Sequence, residues 1–238
     1  MKQGLKKFWN IFNLIHENNR YLKEILYAEI FNSTITNSKW LKNKSFSPGR
    51  WAIDYAFLYT LYKVLNDVKP SGILEYGLGQ SSKMIYQYVA YYTDAFALTI
   101  EHDEQWEKYF KNTIESEYEI NVKLAELETI QYKGYDTLSY KKINDIIPEK
   151  KFDLILLDAP FGSPHYSRSQ ILDLIPYYLS NSFCIILDDY DRPGERETFV
   201  ELCDLLKKNK IDFTSRIYSG NKDHVLLCSS DWRFLTSL

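Results

Sequence analysis

Glycine is scarce in this sequence: its 238 residues include only nine glycines. Three of them, Gly72, Gly77 and Gly79, nevertheless lie within eight consecutive residues. Because glycine permits tight turns and lets a ligand approach the backbone closely, such a cluster is unusual in a glycine-poor chain. This segment is the first candidate for a binding loop.

Cysteine patterns and long hydrophobic runs are also missing. Cys184, Cys203 and Cys228 are far apart and form neither a CxxC pair nor a metal-binding spacing. No run of 18 apolar residues occurs, so no segment is expected to span a membrane. The first apolar segment is interrupted by polar residues and does not fit a signal peptide. We therefore expect reduced thiols and a cytoplasmic location.

The sequence has no overall excess of basic residues. It carries 29 Lys and Arg against 32 Asp and Glu, a net charge of −3 at pH 7, which argues against nucleic acid as the main partner. The charge is uneven: residues 1–70 contain 11 basic and 5 acidic side chains (+6), and residues 71–238 contain the other 18 and 27 (−9). The basic first part keeps a phosphate-binding face open as an alternative.

Residues 5–31 carry apolar side chains at helical spacing, which predicts an N-terminal helical extension over residues 1–46. The pair Asn18-Asn19 is expected to divide it into two helices, and residues 32–46 are expected to form a polar loop. Two roles are open for this extension. It packs on the main domain, or it is a basic amphipathic helix that contacts a membrane surface or a partner.

The rest of the chain, residues 47–238, is expected to form one domain. Ser47-Pro48 has the pattern of a helix start, and from residue 71 onward short apolar runs alternate with helical segments. The predicted strands are residues 73–76, 95–100, 120–128, 152–157, 183–187, 213–218 and 225–228, and the helices between them include 80–92, 168–179 and 195–209.

Strict alternation of strands and helices predicts the α/β class, with a doubly wound, Rossmann-like parallel sheet. The last two apolar runs are separated by a short turn and form an antiparallel hairpin, which brings the count to seven strands. In such sheets ligands bind beyond the carboxyl ends of the strands. The acidic residues at these ends are Glu75, Glu101, Asp158, Asp188 and Asp189.

The segment from Glu75 to Ser82, with the sequence EYGLGQSS, follows the first strand and opens a helix. Its glycines, Gly77 and Gly79, allow backbone N–H groups to approach a ligand. A dinucleotide-binding loop would have a third glycine at position 82, where this chain has serine.

This E-x-G-x-G-x-S loop resembles motif I of the class I S-adenosylmethionine-dependent methyltransferases. The order of motifs and the seven strands, with the last one antiparallel, are similar to that family over residues 48–230. The resemblance implies S-adenosylmethionine as the cofactor, with an acidic residue at the end of the second strand accepting its ribose hydroxyls. The cofactor-binding residues that it implies are Glu75, Gly77, Gly79, Ser81, Glu101 and Asp158.

Two alternatives stay open on the same sheet. A carboxylate at Glu101 would also bind the ribose of NAD, which makes an NAD-dependent oxidoreductase the second hypothesis. Against it, the chain lacks the third glycine, a Tyr-x-x-x-Lys pair and a substrate domain. The other alternative is a protein that binds an adenosyl ligand without catalysis.

The segment after the fourth strand carries the candidate catalytic residues, Asp158 and His165. Asp158 resembles the acidic residue of the family's motif IV, which lies near the sulfonium and the incoming nucleophile. An oxygen acceptor must lose a proton, and His165 is the only histidine in this loop, so it is a second candidate base. Phe161 and Tyr166 are candidates for pocket walls, as is Trp106.

The fifth strand ends in Asp188-Asp189. Together with Asp158, these carboxylates resemble the Mg²⁺ ligands of catechol-type O-methyltransferases, although the asparagine that those enzymes carry is missing. The favoured interpretation is a charged loop in which an aspartate pairs with Arg192 or Arg196, so no metal is predicted.

A narrower resemblance joins these two loops. The pattern D-A-P-x-G from Asp158 with a downstream arginine, and D-x-D-R-x-x-E from Asp189, are similar to plant glucuronoxylan 4-O-methyltransferases and related polysaccharide-modifying proteins. Where that family carries histidine before the second pattern, this chain has Asp188 or Asp189. The resemblance implies a sugar, a polysaccharide or another small hydroxylated acceptor.

Overall fold

The computed structural model describes residues 2–49, 51–114 and 118–238. The helices are α1 (Lys2–Ile35), α2 (Tyr55–Asp67), α3 (Gln80–Tyr91), α4 (Glu104–Thr113), α5 (Ile143–Ile146), α6 (Ile171–Leu174) and α7 (Pro193–Lys208). The strands are β1 (Gly72–Tyr76), β2 (Phe96–Glu101), β3 (Val122–Leu124), β4 (Leu127–Tyr132), β5 (Tyr135–Tyr140), β6 (Phe152–Leu157), β7 (Leu179–Leu187), β8 (Phe213–Ser219) and β9 (Asp223–Ser229). A 3₁₀ segment, Ser230–Ser237, follows β9.

Seven strands form one mixed sheet in the order β3-β2-β1-β6-β7-β9-β8, and β4 and β5 pair as a separate hairpin. The strands β1, β2, β3, β6 and β7 pair in parallel, whereas β9 runs antiparallel to both β7 and β8. This confirms the predicted α/β fold, a doubly wound sheet of seven strands whose last strand is antiparallel.

The strand order reverses between β1 and β6. From β1 the chain moves outward through β2 to β3, and it then returns to pair β6 with the other edge of β1. Such a switch point is where open α/β sheets bind ligands. The carboxyl ends of β1, β2, β6 and β7 therefore border one crevice.

Apolar side chains cover both faces of the sheet. In β6, Leu154 and Leu156 belong to the core that includes residues of α1, α2 and α3, while Ile155 and Leu157 belong to the core on the opposite face. Successive side chains of a strand point to opposite faces, so a strand that is apolar at each of these positions is buried between two layers.

Helix α1 corrects two predictions. It is one helix of 34 residues, so the expected division at Asn18-Asn19 is wrong, and the polar loop begins only after Ile35. Asparagine disfavours a helix by only a fraction of a kcal/mol, and both side chains are exposed. Phe31 and Ile35 are 1% and 2% exposed, so the end of α1 packs in the core. None of the helices in the described ranges has the length and apolar character needed to cross a membrane.

The helix expected at Ser47-Pro48 begins later in the chain. Helix α2 starts at Tyr55, and Asp54 caps it by accepting a hydrogen bond from the Phe57 N–H at 2.9 Å. Burial raises the pKa of Asp54 to about 6. The prediction was wrong because the fixed φ of proline suits an extended segment as well as a helix start, and the buried cap decides between them.

Two further elements differ from the prediction. The strand expected at 120–128 is confined to β3, and hairpin β4–β5 follows it around a turn at Gly134, which has a φ of +85°. The helix expected at 168–179 is only the single turn α6, and β7 already begins at Leu179. Pro176 lies between them and has no N–H to continue a helix.

Candidate active site

A tight loop joins β1 to α3. Gly77 has a φ of +96°, and its N–H donates a hydrogen bond to the Ile100 carbonyl at 2.9 Å. A Cβ on Gly77 would lie 2.9 Å from the Ala159 Cβ, so this loop packs directly on the loop that follows β6. A Cβ on Gly79, by contrast, would meet no described atom within 4 Å. The loop is therefore held on one side and open at Gly79.

Glu75 lies beneath this loop and is 0% exposed. Its Oε2 accepts hydrogen bonds from the Ser82 hydroxyl at 2.6 Å and from the Thr99 hydroxyl at 2.7 Å, and Ser82 Oγ accepts one from the Gly79 N–H. Burial raises the pKa of Glu75 to about 7, while the hydroxyls of Ser81, Ser82 and Thr99 oppose that rise. Glu75 thus connects β1, β2 and α3 below the loop, and its contact with a ligand stays a prediction.

Glu101 ends β2 beside the same loop and is 4% exposed. Its Oε2 accepts a hydrogen bond from the Leu78 N–H at 2.9 Å, and its Oε1 accepts two, from the N–H groups of His102 at 2.7 Å and Asp103 at 2.9 Å. A carboxylate offers about four lone-pair directions. His102 Nδ1 also lies 2.9 Å from Oε1, so the direction that is left for a ligand hydroxyl is on Oε2.

Aromatic side chains border this loop. Trp106 donates from its indole N–H to the Leu78 carbonyl at 2.7 Å and is 39% exposed. Phe161 is 60% exposed and contacts the His102 ring, with the ring centroids 4.9 Å apart. Tyr166 packs instead on the tyrosines of hairpin β4–β5. Trp106 and Phe161 keep their place as candidate pocket walls.

Three carboxylates meet at the carboxyl ends of β6 and β7. Oxygen atoms of Asp158, Asp188 and Asp189 all lie within 4.8 Å of one another. Asp188 and Asp189 are buried, and Asp158 is partly exposed. The fold thus brings together three of the acidic residues that the sequence places at strand ends.

Two basic side chains enter this acidic cluster, which we define as Asp158, Asp188 and Asp189. Arg168 donates from Nη2 to Asp189 Oδ2 at 2.8 Å, and from Nη1 to the carbonyls of Leu157 at 3.0 Å and Asp188 at 2.9 Å. It therefore links the ends of β6 and β7. Lys222 comes from the turn between β8 and β9 and places its Nζ 2.5 Å from Asp188 Oδ2 and 3.4 Å from Asp189 Oδ1.

Asp158 is the accessible member of the acidic cluster, with 25% of its side chain exposed. Burial, and next the charge of Asp188, raise the pKa of Asp158 well above its ordinary value, against the opposing charges of Lys222 and Arg168. In Asp189, burial is outweighed by these cations, and its pKa is lowered. A carboxylate with a raised pKa is a stronger base, so Asp158 is the member best suited to accept a proton.

The acidic cluster does not fit a divalent cation. Mg²⁺ requires several oxygen ligands in near-octahedral geometry, and the oxygens here already bond to the ammonium of Lys222 and the guanidinium of Arg168. Arg192 adds an ion pair with Asp189 at 3.0 Å. The donor set therefore binds basic side chains of the protein itself.

His165 has different neighbours. Its Nδ1 lies 3.0 Å from Glu197 Oε1 on α7, and its ring contacts Tyr135, with centroids 4.0 Å apart and the ring planes tilted by 31°. The side chain is 42% exposed. The contacts in the described part of the chain thus pair His165 with α7 and hairpin β4–β5 instead of the acidic cluster, and its role as a base stays a prediction.

Lys222 was not among the predicted site residues. Strand β9 runs antiparallel to β7 with Leu187 opposite Val225, so the residues just before Val225 lie beside the carboxyl end of β7. A basic residue in that turn is therefore brought to Asp188. Strand pairing is the signal that could have identified it, because nothing in the local sequence does.

Comparison with known proteins shows which solved structures have a similar fold. No protein-family model matches the sequence, and no curated protein matches it significantly. Among solved structures, an O-methyltransferase from Bacillus cereus in complex with SAH is similar, with 13% identity, a TM-score of 0.51, and coverage of 87% of this chain and 90% of that chain. The O-methyltransferase TomG from Streptomyces achromogenes, involved in tomaymycin synthesis and in complex with SAM, is similar with 14% identity, a TM-score of 0.51, and coverage of 90% and 98%. This chain therefore has the fold seen in these O-methyltransferases.

Proposed function

We propose that this protein is an S-adenosylmethionine-dependent methyltransferase that methylates an oxygen atom. The observation that carries the proposal is the pairing of Glu101 with the loop after β1, because the carboxylate fixes the Leu78 N–H and keeps one lone-pair direction for a hydroxyl. The similar structures from B. cereus and S. achromogenes hold SAH and SAM, which supports the same ligand here.

The residues around the loop fit this cofactor. The space beside Gly79 admits a ligand without a clash, and the first turn of α3 follows it, so the free N–H groups of a helix start face that side. Trp106 and Phe161 offer exposed aromatic faces. When bound, S-adenosylmethionine would supply an electrophilic methyl group on its sulfonium.

The acidic cluster supplies the chemistry for an oxygen acceptor. In our proposal Asp158 accepts the proton of the acceptor hydroxyl, because its pKa is raised and it is the exposed member. His165 stays the second candidate base. Most of the acceleration would come from positioning the acceptor against the methyl group.

Calorimetry with SAH and NAD⁺, side by side, tests the cofactor. We expect SAH to bind and NAD⁺ not to bind, because Ser82 replaces the third glycine of a dinucleotide loop and its hydroxyl bonds to Glu75. Gly79→Ala should weaken SAH binding at least tenfold. The added methyl group would meet no protein atom within 4 Å, so the loss would come from its contact with the ligand. Gly49→Ala is the matched control, because a Cβ at Gly49 also meets nothing within 4 Å.

The outcomes separate the three hypotheses. Binding of NAD⁺ without SAH would favour the oxidoreductase, and binding of neither ligand at millimolar concentration would refute both enzymes. Binding of SAH with no methyl transfer to any acceptor would leave a non-catalytic binding protein. An Asp158→Asn variant that binds SAH but loses turnover would support the proposed base.

For the acceptor, we propose a sugar, a glycan or another small hydroxylated molecule. A cavity of about 410 Å³ lies between α1 and the β8–β9 turn, lined by polar residues that include His16, Asn19, Arg20 and Asp223 and by the apolar Leu22 and Leu26. Transfer of labelled methyl groups to a panel of mono- and oligosaccharides, with catechols and hydroxy acids as the comparison, tests this proposal.

A reducing cytoplasm is the proposed location. The sequence has three cysteines in no paired spacing, and Cys184 and Cys228 lie in the buried strands β7 and β9. Buried cysteines outside any disulfide pattern are typical of proteins of a reducing compartment. Thiol labelling of the protein in intact cells, compared with labelling after oxidation, would check the location.

We also propose that α1 contacts an anionic membrane surface. One side of the helix, the outer α1 face, is turned away from the buried Phe31. Its members are Ile11, Leu14, Ile15 and Ile25, which are between 55% and 66% exposed. The helix also carries the exposed Lys6, Lys7 and Lys23. An apolar face on a helix that carries basic residues is the pattern of a helix that lies in a membrane interface.

Sedimentation with vesicles tests the outer α1 face. We expect binding to vesicles with about one third anionic phosphatidylglycerol and little binding to pure phosphatidylcholine. Ile15→Glu should abolish it, whereas Asn10→Glu, which adds the same charge at another exposed position of α1, should weaken it less. If Ile15→Glu instead converts a dimer into a monomer and neither protein sediments, the face is a contact between two copies and the membrane proposal fails.

A further inference from the structure

Lys222 is held in the acidic cluster by two separate contacts. Its backbone N–H donates to Asp54 Oδ2 at 2.9 Å, which anchors the β8–β9 turn at the cap of α2. Its side chain is 13% exposed and reaches Asp188 and Asp189 with the ammonium. The position of this cation therefore follows from the pairing of β9 with β7 and from the buried cap.

The acidic cluster is surrounded by three basic side chains, two of which also face a fourth carboxyl group, because Glu195 Oε1 is buried and lies 3.9 Å from both Arg168 and Arg192. Asp158, Asp188 and Asp189 contribute three carboxylates. On the other side, Arg168 lies 2.8 Å from Asp189 and 3.7 Å from Asp158, and its side chain is 2% exposed. Lys222 and Arg192 supply the other two positive charges. A divalent cation would have to displace basic side chains of the chain itself that already pair with these carboxylates.

We propose that the Lys222 ammonium takes the place of a divalent cation in the acidic cluster, so that this protein works without a metal. The cation in this position would bind the acceptor oxygen. The catalytic part of this inference rests on the proposed methyl transfer, whereas the part about metal binding depends only on the contacts of Lys222.

The ammonium is suited to this role. Burial alone would lower the pKa of Lys222, but the carboxylates of Asp188, Asp158 and Asp189 outweigh burial and raise it, so the charge is permanent at neutral pH. An ammonium has three N–H donors, and the described contacts of Lys222 Nζ use Asp188 and Asp189. The third donor is available to an acceptor oxygen beside Asp158, which would take the proton.

Binding of Mn²⁺, followed by electron paramagnetic resonance of the free ion, tests the inference without any assay of activity. We expect the wild-type protein to bind no Mn²⁺ at micromolar concentration. Lys222→Ala vacates the cluster and should create a site that binds at least tenfold more tightly. Lys222→Ala combined with Asp188→Asn should lose that site again. Lys207→Ala, which removes an exposed lysine paired with Asp204, is the matched control and should gain nothing.

Two results would overturn the inference: tight Mn²⁺ binding by the wild-type protein, or no gain of binding in a folded Lys222→Ala variant. Circular dichroism establishes folding, and Lys222→Gln replaces the alanine variant if that one does not fold. Methyl transfer that stops in EDTA and returns with Mg²⁺ would also overturn it. If no methyl transfer is found but Mn²⁺ follows the expected pattern, only the proposed function fails.

Discussion

The buried Glu75 allows a quantitative test of the site's electrostatics. In the folded protein its pKa is raised from 4.5 to about 7, mainly by burial. A raised pKa means that the folded state favours the protonated form. Glu75 therefore contributes stability that is fully present below pH 4.5 and is lost as the pH rises through about 7. Glu75→Gln removes the titration and keeps an oxygen that can accept from Ser82 and Thr99.

The size of the effect follows from the shift. One pKa unit corresponds to about 1.4 kcal/mol, so a rise from 4.5 to about 7 changes the free energy of unfolding by about 3 kcal/mol between pH 4.5 and pH 8.5. Between pH 4.5 and pH 8.5, the free energy of unfolding of the wild-type protein should fall by about 3 kcal/mol relative to that of the Glu75→Gln variant. Their difference at pH 4.5 also includes any cost of the amide group, which does not change with pH.

Urea denaturation at intervals of half a pH unit measures this difference. The matched control is Glu149→Gln, because Glu149 is an exposed glutamate away from the loop. Its difference from the wild type should stay flat. The prediction is refuted if the difference between the wild type and Glu75→Gln is also independent of pH, or if the wild type becomes more stable relative to the variant as the pH rises. Either result would mean that the folded protein does not favour the protonated form of Glu75.

Three further substitutions test other contacts of the site. Gly77→Ala should lower the free energy of unfolding by about 2 kcal/mol in urea, because of the φ of +96° and the close Ala159, and an unchanged midpoint would contradict the loop geometry. Arg168→Lys should cost about 3 kcal/mol or more in the same assay, since one ammonium cannot bridge both strand ends, and a loss below about 1 kcal/mol would contradict that role. Trp106→Phe removes the donor to the Leu78 carbonyl and should weaken SAH binding about fivefold in calorimetry, whereas equal affinity would show that the loop needs no such support.

The sheet was predictable because its strands are buried on both faces. The run Phe152–Leu157 is apolar except for Asp153, and this pattern is not affected by distant residues. The errors concern elements that depend on tertiary contacts. Helix α1 continues through Asn18-Asn19, and the segment from 168 to 179 folds around the buried Arg168 with little helix. The boundary between residues 1–46 and 47–238 stays a prediction.

The site was predictable only as far as strand ends determine it. Glu75 and Glu101 were placed correctly at the ends of neighbouring strands, because the position after an apolar run is visible in the sequence. Their hydrogen-bond partners were not predicted. The contact of Lys222 with Asp188 joins residues 34 positions apart, and that of Arg168 with Asp189 spans 21 positions. Such pairs depend on strand order, which no local pattern specifies.

The two halves of the crevice handle charge in different ways. Under the loop after β1, Glu75 is buried without a basic partner in the described part of the chain. Burial raises its pKa to about 7, so the carboxyl group avoids the cost of a buried charge by keeping its proton up to near neutral pH. At the ends of β6 and β7, basic side chains enter the cluster, lower the pKa of Asp189 and oppose the rise in the pKa of Asp158. Raising the pH therefore affects Glu75 and Asp158, whereas adding salt or divalent ions would act mainly on the second half. A ligand that binds over Gly79 and an acceptor that binds beside Asp158 should respond to different conditions, which allows the two binding steps to be measured separately.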